Sequence, residues 1–281
     1  MLKRISLAIV ICAFSMLDSS ARSGALPPDG IDWARGIIVT HGTCRVDIND
    51  RGTPVNEDGT AVISLTRGRV NAYRTARERA MERMIGLVRE VRVDGDTTLS
   101  ELLERSDVLQ SRIVTVINDK MKSREFPVDF ATSGCRAELR IGDLLPAVPY
   151  TYPGDEFPAR IDAPIPTDYT GLVIDTRGLP VEPMILPSVL NEDGLEVYGR
   201  SFVDIRNVNR YGIVAYANGD EEAMKYRAAG DHPLYTVAIR AVKGCPVIAD
   251  RDVRKLYSSG NTLRELKKCR VIFIIDKKLK G

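Results

Sequence analysis

Five consecutive apolar residues, Val271-Ile272-Phe273-Ile274-Ile275, stand near the end of the chain with no polar residue among them. A half-buried strand alternates, so a run that is apolar on both faces belongs in the middle of a sheet covered from both sides. Leu172-Val173-Ile174 is a second such run and ends in Asp175-Thr176-Arg177-Gly178. After two proline-bounded apolar segments, Asn191-Glu192-Asp193-Gly194 is an Asp-Gly turn signal before Leu195 to Tyr198, which predicts a hairpin. Tyr211 to Ala217 and Leu234 to Val242 read as further strands. Helices are expected from Asp220, as cap, to Ala229, and from Asp250, as cap, through Tyr257, with a further turn around Leu263 and Leu266. Residues 169–276 are therefore expected to form a C-terminal α/β domain.

Between residues 143 and 168 lie Pro146, Pro149, Pro153, Pro158, Pro164 and Pro166, mixed with Tyr150, Tyr152 and Phe157. Proline removes backbone donors and fixes φ, so this segment reads as an extended linker whose aromatics pack across a surface.

Residues 31–142 carry a different pattern. Trp33 to Val46 alternates as a strand, and from Arg67 to Val91 the apolar residues Val70, Tyr73, Ala76, Ala80, Met84, Leu87, Val88 and Val91 recur at helical spacing over about six turns. The opposite face of that helix holds Arg67, Arg69, Arg74, Arg77, Arg79, Arg83, Arg89 and Arg92 against Glu78, Glu82 and Glu90, with Arg74–Glu78 and Arg79–Glu82 as expected partners along the helix. Thr98-Leu99-Ser100-Glu101 is a capping box that opens a second helix to about Asn118. Phe126 to Phe130 and Cys135 to Ile141 read as returning strands. The fold class expected is α+β: two small mixed α/β domains, the first a small sheet with two packed helices, joined by the Pro-rich linker. Within the loop before the helix, Asp47 to Asp58 echoes a calcium loop, but Arg51 occupies its fifth position and Asp58 its twelfth, so a solvated hairpin loop is expected and no metal.

The stretch from Arg67 to Ala80, with alanines at 72, 76 and 80, resembles the strand-then-Ala/Arg-helix signature of bacterial exported proteins. That group includes the small Lpp-type outer-membrane lipoproteins and the N-terminal part of the flagellar T-ring assembly protein. The resemblance covers about a third of the chain and implies a structural role facing the envelope, without catalytic residues. Two departures stand against it: Ile11 precedes Cys12 where a lipobox needs a small residue, and the loop from Asp47 to Ser64 is long.

The first residues, Met1-Leu2-Lys3-Arg4, form a short basic head before an apolar run from Ile5 to Leu17. That run is shorter than the roughly 20 residues that span a bilayer, so residues 1–25 read as a signal peptide cleaved near Ala21 or Ala25. Four cysteines then remain, Cys44, Cys135, Cys245 and Cys269. An even count in an exported chain favours disulfides. Of the three pairing schemes, Cys44–Cys135 with Cys245–Cys269 is expected because each bond closes within one domain; four buried thiols are the alternative.

Forty Lys and Arg balance thirty-eight Asp and Glu, so no global field recruits nucleic acid. Neither histidine, His41 or His232, stands in a metal or catalytic motif, and no cofactor is implied. Asp175 with Arg177, at the end of an apolar strand, is the one candidate ligand-binding pair. The function expected is that of an exported periplasmic protein acting through contacts with other envelope proteins or with a second copy of itself, in a flagellar or outer-membrane complex. The alternative is a periplasmic ligand-binding domain or hydrolase centred on Asp175 and Arg177.

Overall fold

The computed structural model describes residues 28–158 and 167–276. The expected leader with its expected cleavage sites, Pro164, Pro166 and the lysines after Asp276 lie outside the described residues.

The first half is an antiparallel sheet packed on helices. Its elements are β1 (Gly30–Asp32), β2 (Ile37–Arg45), α1 (Leu65–Glu90), α2 (Leu99–Glu104), α3 (Asp107–Lys120), β3 (Lys122–Pro127) and β4 (Thr132–Arg140), with strand order β1-β2-β4-β3. Ser64 starts α1 by accepting a hydrogen bond from the amide of Arg67. The buried side of α1 is a ridge of every fourth residue, Gly68, Ala72, Ala76, Ala80, Met84 and Val88. Its first four members are small, so the helix backbone comes very close to β2. Thr40 Oγ1 donates to the carbonyl of Ala80 at 2.7 Å, and a Cβ placed on Gly42 would lie 1.9 Å from the carbonyl oxygen of Ala76. Val70 is 62% exposed, because a ridge at four-residue steps through Gly68 and Ala72 turns position 70 away from the sheet.

The arginines of α1 do not pair along the helix as expected. Arg74 meets Glu57, Arg79 donates to the carbonyl of Thr43 at 2.6 Å, and Arg83 donates to the carbonyl of His41 at 2.9 Å and to Asp29. Asp29 in turn accepts from the amide of His41 at 2.7 Å. β1 covers β2 only from Ile37 to Val39, and these side chains close the hydrogen-bonding edge of β2 beyond it. They do for that edge what another strand would do.

The second expected helix is two. Ser106 is extended at φ −153° and its hydroxyl accepts from the amide of Leu109, so a local side-chain cap ends one helix and starts the next. The strand expected at Phe126–Phe130 lies earlier, at Lys122–Pro127, because Asp129 builds a turn by accepting from Ala131 and Thr132.

The second half holds β5 (Gly171–Asp175), β6 (Val189–Leu190), β7 (Glu196–Tyr198), α4 (Ile205–Tyr211), β8 (Ala215–Ala217), α5 (Asp220–Lys225), β9 (Pro233–Val237), β10 (Arg240–Val242), β11 (Cys245–Val247), α6 (Asp250–Tyr257), α7 (Gly260–Leu266) and β12 (Val271–Ile274). A parallel sheet in the order β8-β12-β5-β9 puts β12 inside, every residue of it buried. Leu172, Ile174 and Phe273 join the large core; Val173, Ile272 and Ile274 pack with Ala217 and Ala223 on the other face. A smaller sheet has the order β10-β11-β6-β7 and includes the expected hairpin across Asn191–Gly194. The run Leu234–Val242 breaks into β9 and β10 because it serves both sheets: the amide of Ala238 bonds Asp175, and that of Ile239 bonds Val247. The two helix caps also shift by one residue, to Gly219 and Ala249, with Asp220 and Asp250 as the first helical residues.

The halves share one hydrophobic core that runs from Ile38 through Ala147 and Phe157 to Phe273. In the linker, 3-10 turns at Ile141–Asp143 and Leu145–Ala147 bury their apolar side chains, and Phe157 stacks on Phe202 at 4.7 Å. Trp33 meets Tyr216 edge-on at 5.6 Å, and Tyr216 meets Phe273 at 5.8 Å. The amides of Ile185 and Leu186 bond the carbonyls of Arg92 and Val93.

All four cysteines, Cys44, Cys135, Cys245 and Cys269, are free thiols, which corrects the expected disulfides. Cys44 stands opposite Ser133 and Cys135 opposite Gly42, so the two are diagonal neighbours. Diagonal positions lie about 7–8 Å apart, beyond the span of a disulfide. The thiol of Cys245 lies against the sulfur of Met184, and that of Cys269 is pushed up to about 12 by burial. Unreduced protein from residue 28 onward, once unfolded, is expected to titrate four thiols; two disulfides would leave none.

Candidate functional site

Asp175 closes β5 at the carboxyl end of the parallel sheet, where a layered α/β unit presents polar groups. Arg177 folds back on it: Nε donates to Asp175 Oδ1 at 2.8 Å and the backbone amide donates to the same oxygen at 3.1 Å. Arg177 Nη1 also lies 3.1 Å from Asp220 Oδ2, and the hydroxyl of Tyr235 donates to Asp220 Oδ1 at 2.5 Å. Thr176 Oγ1 donates to the carbonyl of Ile274, and Asp276 accepts from the amide of Gly178, which sits at φ +76°. Asp175 and Arg177 therefore fix the turn that follows β5. Asp220 and Tyr235 complete the group. Asp220 carries the signature of a helix cap, yet Gly219 holds the cap position and the carboxylate is turned to the arginine.

The Arg177 guanidinium holds the Asp175 carboxyl below its ordinary range, with burial opposing. Burial and the bond to Asp220 push the Tyr235 hydroxyl up. A depressed carboxyl contributes stability above its unfolded value of 3.8 and loses it as pH falls through the folded value. Asp175→Asn is expected to cost about 1 kcal/mol at neutral pH and to flatten the loss of stability below pH 3.8. Urea titrations at several pH values check both.

A cleft of about 730 Å³ lies on the other side of this turn, between the outer face of the antiparallel sheet and the carboxyl ends of β5, β8 and β12. Trp33, Val39, Leu179, Val181 and Ile275 give it an apolar wall, and Arg136, Asn218 and Asp276 are among its polar groups. Asp175 and Arg177 do not line it. The cleft joins residues from Pro28 to Asp276, so no local motif announces it. Its volume is that of a small-ligand or side-chain site.

His41 is buried against Asp29, and the ring of His232 stacks on Tyr169 at 5.4 Å; neither lines the cleft. In the Asp47–Asp58 loop Asn49 Oδ1 is occupied by the amides of Arg51 and Thr53. Among the described residues no cluster of three His, Cys, Asp or Glu could hold a metal ion, and no helix is long and apolar enough to cross a membrane.

The architecture is α+β throughout, an antiparallel sheet with helices fused to a parallel sheet with helices. Residues 171–277 match the family model of the second domain of Treponema pallidum Tp0624, and the match spans the parallel half from β5 to β12. No curated protein matches the chain.

Proposed function

We propose that the chain is an exported protein of the bacterial envelope that works by binding other proteins, in a flagellar or outer-membrane assembly. The observation that carries binding is the cleft at the junction of the two halves. Its lining presents an apolar wall and a few polar groups, of which Asp276 is engaged by the amide of Gly178 and Asp32 by that of Arg35. Such a surface holds a partner through shape and a few polar contacts. The competing ligand-binding or hydrolytic role for Asp175 and Arg177 is weakened by their mutual pairing: Asp175 is bonded to Arg177 and Tyr235, and Arg177 to Asp175 and Asp220, so the pair has little left to offer a substrate. Export is supported by the basic head and apolar run before residue 25. Three of the four thiols, in Cys135, Cys245 and Cys269, are buried, which shelters them in an oxidising compartment. The assembly context rests on the Ala/Arg helix, whose alanines 72, 76 and 80 lie against β2.

Fractionation of the native cell with N-terminal sequencing tests the reading. A periplasmic or envelope-bound form that begins after Ala21 or Ala25 is expected, and a cytoplasmic form that keeps Met1 overturns it. Pull-down of the mature form should then recover envelope proteins.

A further inference from the structure

The hydrogen-bonding edge of the first sheet is closed in one place and open in another. From His41 to Thr43 it is covered by Asp29, Arg83 and Arg79. The carbonyls of His41 and Thr43 point to that edge, so the odd residues of β2 face β1. In the register Gly30↔Val39 and Asp32↔Ile37, Gly30 and Asp32 are then the hydrogen-bonded partners. Between them Ile31 turns its N–H and C=O away from β2, and Ile31 lines the cleft. β1 is thus an edge strand on which the backbone groups of Ile31, without a partner among the described residues, border an apolar cavity, the arrangement in which an extended peptide adds as a further strand.

The charges beside it select the peptide. Ile38, Thr40 and Gly42 stand opposite Leu139, Ala137 and Cys135, and this face packs on α1. The outer face, which carries Val39 into the cleft, presents Arg136, Glu138 and Arg140 on β4 and Lys122 and Arg124 on β3. On β3 and β4 four cations stand against one carboxylate, while the two carboxylates of the cleft, Asp32 and Asp276, are engaged by the amides of Arg35 and Gly178. Arg124 and Arg136 are directly opposite in the ladder, a like-charge pair that costs stability unless something anionic lies over it. Arg136 reaches the cleft, pairs with Glu138 through one nitrogen, and keeps a buried Nε with no hydrogen-bond partner.

We propose that the cleft takes an extended acidic segment of a partner protein, added along β1 at Ile31. An apolar side chain of that segment enters between Trp33, Leu179 and Ile275, and a carboxylate two residues further on, on the same face of the added strand, meets Arg136. This rests on the binding role above and names its site and the chemistry of its partner.

The test uses the purified protein and its single tryptophan, Trp33, which lines the cleft. Titration with a hexapeptide that carries threonine at its odd positions and valine, glutamate and valine at its even ones, so that valine and glutamate share a face, should change Trp33 fluorescence saturably. The same peptide with lysine in place of glutamate, and the glutamate peptide N-methylated at every second amide, should bind at least tenfold more weakly. Arg136→Glu and Ile31→Pro should each weaken the acidic peptide at least tenfold, with circular dichroism and melting temperature unchanged. Asp175→Asn, on the other side of the turn, should leave binding as it is. Absence of saturable binding by the acidic peptide, equal binding of the lysine peptide, or equal binding of the N-methylated peptide overturns the proposal. A cytoplasmic location would overturn export and leave this result standing, so the two failures are distinguishable.

Discussion

Gly42→Ala is expected to destabilise the protein by about 3 kcal/mol, the largest loss from adding a single methyl group anywhere on α1 or the strands beneath it. The added Cβ would lie 1.9 Å from the Ala76 carbonyl oxygen and 2.8 Å from the Ala80 nitrogen. Both are backbone atoms in the middle of α1, so no side chain can rotate to make room. The helix would have to lift from β2, which would open the packing of Ala72, Ala76 and Ala80 and break the bond from Thr40 to Ala80. Gly86→Ala in the same helix supplies the control. A Cβ there meets nothing within 4 Å, and alanine holds a helix better than glycine, so a gain of about 0.5–1 kcal/mol is expected. Opposite shifts of the urea midpoint for one chemical change would place the cause in the contact. Equal shifts would show that the approach of α1 to β2 is not tight.

Phe273→Ala is expected to cost about 4 kcal/mol, and the loss should be felt in both halves. Phe273 is fully buried on the central strand and holds Tyr216, which holds Trp33. The hydroxyl of Tyr216 accepts from the amide of Met184 and donates to its carbonyl, so the cavity would also loosen a buried polar contact. Trp33 belongs to the first half and is the single tryptophan, so its fluorescence reports there on damage done in the second. With one shared core, Trp33 fluorescence and far-ultraviolet circular dichroism should give coincident transitions in wild type and variant, both displaced by the substitution. A fluorescence transition that stays in place while the dichroism splits would show two independent units.

What the sequence discloses is set by how local each cause is. β12 is legible because five apolar residues in a row have one home, and α1 because its apolar positions repeat over many turns. The capping box at Thr98 forms as written, with Thr98 and Glu101 exchanging bonds. The break of the run Leu234–Val242 is not legible, since an alternating run does not say that its ends belong to different sheets. The disulfides fail for a related reason: an even cysteine count carries no register, and Cys44 and Cys135 miss each other by two residues along the ladder. Asp175 and Arg177 are legible as neighbours, whereas Asp220 and Tyr235 join them only through the fold. The arginines of α1 look like a solvated stripe because their partners, the carbonyls of Thr43 and His41, have no side-chain signature at all.

β12 is the last strand of the described chain and also the one on which both β5 and β8 pair. During synthesis from the N-terminus, β5 and β8 emerge with no partner between them and wait for Val271–Ile274 to complete the parallel sheet. A chain halted between β8 and Val271 would have a nearly finished antiparallel half and an open, sticky second one, a natural target for proteolysis.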